Sequence, residues 1–171
     1  MPDTAAHPLP ADALLQRYAT KAGNYTDCFC CHMDGIVTLP QFVTAFYTAP
    51  LFRSERVILR FAVNRPSTDE DAVDVAHGAT TRFSAWDVED RTETQLLMCD
   101  LASKTRSWFM TRPHEGGTHL FFGSAVTPNQ ESETVGLFIK ATTWLHVAYS
   151  HALLKGAAKR LSRGPTQAAA R

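Results

Sequence analysis

The sequence predicts a single α+β domain in which a curved antiparallel sheet is covered by a long C-terminal helix. Three observations carry this reading. Period-two runs follow one another from Arg82 to Thr127 with turn chemistry between them, as in antiparallel hairpins. A proline-free run from Glu133 to Leu161 carries an apolar stripe at helical spacing. A strand and two short helices precede the meander, so the chain supplies both the sheet and the cover for one of its faces.

The 171 residues, 44% hydrophobic and 20% charged, suit one domain with a true core and exclude whole-chain disorder. Seventeen basic residues balance seventeen acidic ones, which argues against a general nucleic-acid binder. No apolar run reaches the roughly 18–20 residues that span a bilayer, and Met1 to Ala13 lacks the basic end and greasy stretch of a signal peptide. The expectation is a cytoplasmic protein without integral membrane association. Residues 1–10 read as a flexible tail, 11–162 as the domain and 163–171 as a second flexible tail.

In chain order, Ala11 to Ala22 reads as an extra N-terminal helix through Leu14, Leu15 and Tyr18, stopped by Gly23-Asn24. Tyr25 to Met33 reads as a strand, with Tyr25, Phe29, Cys31 and Met33 on one face and Asp27 among them. Thr38 caps a helix over Leu39 to Thr48, and Pro40 sits in its first turn. Pro50 breaks it before a second short helix over Leu51 to Val63. Thr68 and the acids Asp69, Glu70 and Asp71 start a connecting helix that ends near Gly78. Strands follow at Arg82–Val88, Gln95–Leu101, Thr105–Arg112 and His119–Thr127. Turns fall at Asp90-Arg91, Ser103-Lys104 and Glu115-Gly116-Gly117. Gly123 marks a kink or a close approach. On the final helix Leu137, Phe138, Ala141, Trp144, Leu145, Ala148, Ala152 and Leu161 share a face.

This element order resembles the START / Bet v 1-like superfamily, the helix-grip fold of polyketide cyclases, dehydratases and lipid-transport proteins, over roughly residues 12–162. Within it, Arg65-Pro66-Ser67-Thr68-Asp69, the run from Arg82 to Arg91 and Thr105-Arg106-Ser107-Trp108 look like an uncharacterised bacterial branch of that superfamily. The resemblance implies a hydrophobic cavity between sheet and C-terminal helix, holding a small molecule or lipid, with catalysis in only some branches.

Candidate chemistry is sparse. Cys28, Cys30 and His32 share a strand face, but two-residue steps on a flat strand do not close a zinc site, and the cysteines read as small buried hydrophobes. Trp86, Arg106 and Trp108 admit two readings. Their faces line the cavity, where two indoles and a guanidinium suit a planar or carboxylated ligand, or they face solvent with Arg stacked on Trp. Phe122 lies on a strand apolar on both faces, and Trp144 would roof the cavity. Those five residues form the expected ligand set. His119 is a candidate general base, with His7, His32, His77, His114, His146 and His151 as alternatives. No cofactor motif and no metal site is read: GxSxG, Walker, GxGxxG and HExxH patterns are missing from the sequence. The leading expectation is a binding protein for a hydrophobic or aromatic small molecule or lipid. A cyclase-, dehydratase- or hydrolase-like enzyme using the same cavity comes second, and a non-catalytic interaction module third.

Overall fold

The computed structural model describes residues 4–53, 66–127 and 150–162. The α+β class read from the sequence holds: a seven-stranded antiparallel sheet is joined by helices, the last of them C-terminal. The elements run β1 (Thr4–Ala6), α1 (Gln16–Ala19), β2 (Tyr25–Asp34), α2 (Leu39–Tyr47), α3 (Asp69–His77), β3 (Arg82–Phe83), β4 (Trp86–Arg91), β5 (Gln95–Asp100), β6 (Thr105–His114), β7 (Gly117–Val126) and α4 (150–162). The sheet order is β1-β2-β7-β6-β5-β4-β3, so the first long strand pairs with the last strand of the meander.

The helices form where local chemistry asks for them. Thr38 and Gln41 make a reciprocal capping box on α2, with Pro40 beside it, and Thr68 and Asp71 do the same on α3. Gly78 ends α3 at φ 79°, a left-handed conformation that glycine adopts without steric cost. A helical segment over 50–53 begins at Pro50, a residue suited to a first helical turn. The remainder of the helix expected at Leu51–Val63 and most of the one expected at Glu133–Leu161 lie outside the described residues.

Both faces of the sheet are apolar, and each has its own cover. On the inner face, Phe29, Cys31, Leu96, Met98, Phe109, Leu120 and Phe122 pack with α2, α3 and Leu153, Leu154, Ala157 and Ala158 of α4. On the outer face, Cys28, Leu97, Trp108, Met110, Phe121 and Ala125 pack under Ala13, Leu15 and Tyr18 of the N-terminal segment. That segment, here called the strap, begins within the stretch read as a tail, since Thr4–Ala6 pairs with Cys31–Phe29. The first long strand is therefore second from the sheet edge.

Gln95 fastens the strap. Its Oε1 accepts from the Leu14 amide and the Trp108 indole Nε1, each at 2.9 Å, and its Nε2 donates to the Asp12 carbonyl at 3.0 Å. Gln16 Nε2 donates to the Leu9 and Pro10 carbonyls at 3.2 and 3.0 Å. These bonds explain why the helix expected over Ala11 to Ala22 contracts to Gln16–Ala19: its backbone groups are committed to the sheet and to turns, and Leu15 offers no side-chain cap. Gly123 lies beneath. A Cβ there would meet the Asp27 carbonyl at 2.7 Å, Leu15 Cδ2 at 3.0 Å and Trp108 Cε3 at 3.1 Å, so its role is close approach.

Two further expectations are corrected. Arg82–Val88 is not one strand but a tight hairpin, with Ser84 at φ 53° and Phe83 opposite Trp86. In a straight strand Phe83 and Trp86 would point to opposite faces; the turn sets them on the same one. Asp90-Arg91 is not a turn but the end of β4. A bulge between Val88 and Asp90 sends Glu89 and Asp90 outward and Arg91 inward. There the Arg91 guanidinium takes the Val75 and Ala76 carbonyls at the end of α3.

Gln95→Ala removes all three clips and leaves the buried Trp108 N–H unpaired. Urea unfolding followed by circular dichroism is expected to show a loss of about 3 kcal/mol; a loss below about 0.5 kcal/mol would contradict the strap's fastening.

Candidate functional site

Across the inner face, burial falls from one row of cross-strand neighbours to the next. The row Phe29, Phe122, Phe109 and Leu96 is fully buried. Its rings pack on the helices, with Phe46 4.6 Å from Phe122 and 4.8 Å from Phe109, and Tyr47 4.6 Å from Phe83. One pleat along comes Asp27, Ser124, Ser107, Met98 and Val88, a mixed row. One pleat further, Tyr25, Val126, Thr105, Asp100 and Trp86 are all half-buried. Trp86 packs at the margin of the aromatic layer, 5.8 Å from Phe52.

The mixed row puts polar groups inside the sheet's apolar face. Asp27 Oδ1 accepts from the Ser124 amide at 2.8 Å and its hydroxyl at 2.7 Å. Burial, then the Asp27 charge, raises the Tyr25 phenol above its usual range. An apolar floor with a few placed polar groups at one end is the usual composition of a small-ligand site. Asp27, Ser107, Ser124 and Tyr25 were not among the expected site residues. The signal was a lone carboxylate in the period-two row of Tyr25, Phe29, Cys31 and Met33.

The structure divides the expected ligand set. Trp86 and Phe122 share the inner face. Arg106 and Trp108 stand together on the outer face, and neither of the two readings describes them: they look neither into the sheet–helix layer nor into solvent. Trp108 is fully buried under the strap. Arg106 lies over the Tyr18 ring at 4.6 Å, donates from Nε to Glu89 at 3.0 Å and from Nη1 to the Ser103 carbonyl at 2.6 Å. Tyr18 donates its hydroxyl to the other Glu89 oxygen at 2.5 Å. The guanidinium is thus paired, which removes most of the cost of its burial. Trp144 lies outside the described residues. His119 is on the outer face, opposite His32.

Cys28, Cys30, Cys31 and Cys99 are free thiols. Burial pushes Cys28 and Cys31 up to about 12 and Cys30 up to about 11, so all three stay protonated and weakly nucleophilic at neutral pH. No helix among the described residues is long and apolar enough to cross a membrane.

At pH 8, iodoacetamide labelling read by peptide mass spectrometry is expected to be about a thousandfold slower at Cys28 and Cys31 than in the urea-unfolded chain, rising tenfold per pH unit. Labelling of either at the unfolded rate would contradict the buried placement. Comparison with known proteins finds no matching family model, no matching curated protein and no matching solved structure.

Proposed function

We propose that this protein binds a hydrophobic or aromatic small molecule or lipid between the inner face of the sheet and the C-terminal helix, as a helix-grip protein of the START / Bet v 1-like kind. The observation that carries the reading is the gradient on that face. A buried aromatic floor gives way within two pleats to a half-buried row bounded by Trp86 and Tyr25, with Asp27, Ser107 and Ser124 between. An apolar ligand body would rest on Trp86 at the margin of the phenylalanine layer, and a hydroxyl or amide group would meet the polar row. The strand order supports the same reading: the first long strand beside the last strand of the meander, and a terminal helix on the face they share.

An enzyme of the cyclase, dehydratase or hydrolase kind is the second reading. Arg106 and His119, its first candidates, occupy the outer face; what favours it is Asp27, a carboxylate on the inner face held by Ser124. A time-dependent change in the mass of a bound ligand that stops in Asp27→Asn would support turnover.

Native mass spectrometry of the chain with palmitic acid or 2-naphthoic acid is expected to show one bound ligand. Trp86→Ala should weaken binding roughly tenfold, the worth of about one aromatic contact. Arg106→Ala should leave it unchanged. No adduct with either probe, or equal binding by Trp86→Ala, would overturn the proposal.

A further inference from the structure

At one edge of the sheet the strap leaves a gap. β1 pairs only Thr4–Ala6 with Cys31–Phe29, and its ladder ends where the His7 amide donates to the Cys28 carbonyl at 2.9 Å. Pro8 and Pro10 follow, and a residue without an N–H cannot carry a ladder onward. The strap then crosses to the outer face, where Leu9 packs against the cluster that holds Trp108 and Phe121. Along Tyr25–Asp27, no strand among the described residues flanks β2 on that side.

A cavity of about 350 Å³ occupies this gap, a volume within the range of small-ligand pockets. Its described lining is Ala6, His7 and Leu9 of the strap together with Tyr25 to Phe29 of β2. Successive residues of a strand face opposite sides of the sheet, so a cavity lined by five in a row turns round the strand's edge. Tyr25, Asp27 and Phe29 belong to the inner face, and Thr26 and Cys28 to the outer. Ala6, directly opposite Phe29, stands on the inner side. Tyr25 and Asp27 also end the two polar rows of the proposed ligand site, so cavity and site share a wall. The C-terminal helix reaches the same edge, with His151 Nε2 2.8 Å from the Thr4 carbonyl oxygen and its ring edge-on to Phe29 at 6.0 Å.

We propose that this edge cavity takes the end of a flexible hydrocarbon chain whose remainder lies on the inner face, so that the ligand is a chain lipid. The inference rests on the ligand reading above and narrows its class. Shape carries it: a path that leaves the inner face at Tyr25 and Phe29 and bends round β2 toward Leu9 and Cys28 suits a chain with a rotatable bond at every carbon. A rigid bicyclic ring keeps to one face. The chemistry of the wall agrees. Ala6, Leu9 and Phe29 offer carbon, and burial keeps the Cys28 thiol protonated and apolar in character. Asp27, the one acid in the described lining, holds the Ser124 amide and hydroxyl with its Oδ1. The strap builds the other wall, so the cavity exists through this chain's own N-terminal segment.

The test titrates the full chain with 1-octanol, 1-decanol and 1-dodecanol by calorimetry; a neutral head keeps the Asp27 charge out of the comparison. Affinity is expected to rise roughly fourfold for each added methylene that the protein buries. Ala6→Trp on β1 and Thr26→Phe on β2 place bulk in the cavity from two different strands, and each should weaken 1-dodecanol binding at least roughly tenfold. Both should keep the unmutated chain's affinity for 2-naphthoic acid, which rests on the inner face alone and so also reports an intact fold. Ala5→Trp, on the other side of β1, should change neither affinity. Equal affinities for the three alcohols, or full 1-dodecanol binding by both filled variants, would overturn the cavity's role while 2-naphthoic acid binding upheld the ligand reading. Equal loss of both probes in both filled variants would overturn a separate role for the cavity. Absence of binding by every probe would overturn both.

Discussion

The structure depends on the burial of its central strands on both faces. Phe109 and Phe122 point to one side, Trp108 and Phe121 to the other, and all four are buried. Such a sheet is stable only if the chain supplies two covers, because apolar area left wet on either side forfeits about 25 cal/mol per Å². The helices cover the inner face. The strap covers the outer one, and Gln95 ties it down with a side chain whose amide oxygen and nitrogen both find partners. A buried amide satisfied at both ends fixes register as well as position, since displacement of the strap strands polar groups away from water.

Two covers give the two faces different chemistry. The outer face is closed along the strap by Arg106, Glu89 and Tyr18, which neutralise and stack upon one another. Its far end, beyond the strap's main contacts, is where imidazoles collect. The inner face is graded, dry at the phenylalanines and half-wet at Trp86 and Tyr25. The inner-face contacts proposed for the ligand and the strap's outer-face cover therefore lie on opposite sides of one sheet.

What was legible in the sequence followed from local signals. The Thr38 and Thr68 caps, the left-handed Gly78 and the meander each declare themselves within a few residues. What was not legible depended on distant partners. The strap shortens its helix because Gln95, far along the chain, takes its backbone groups. Ser84 turns the chain at a positive φ without glycine or asparagine to announce it, and that turn reversed the parity on which Trp86 was assigned. For Arg106, alternation identified Trp108 as a face-mate correctly, but alternation says nothing about which face a strap will cover. Asp27 stood in plain view as a charge in an apolar row, a pattern that reads as noise until Ser124 is found opposite it.

Amide and indole hydrogen exchange by NMR measures the fastening of the outer face most directly. If the strap and Gln95 close that face, the Trp108 indole N–H and the Leu14 amide exchange only through global unfolding, at the same free energy as the β6 and β7 core amides. Exchange of the Trp108 indole within seconds at pH 7, while those core amides remain protected, would contradict the two-cover account.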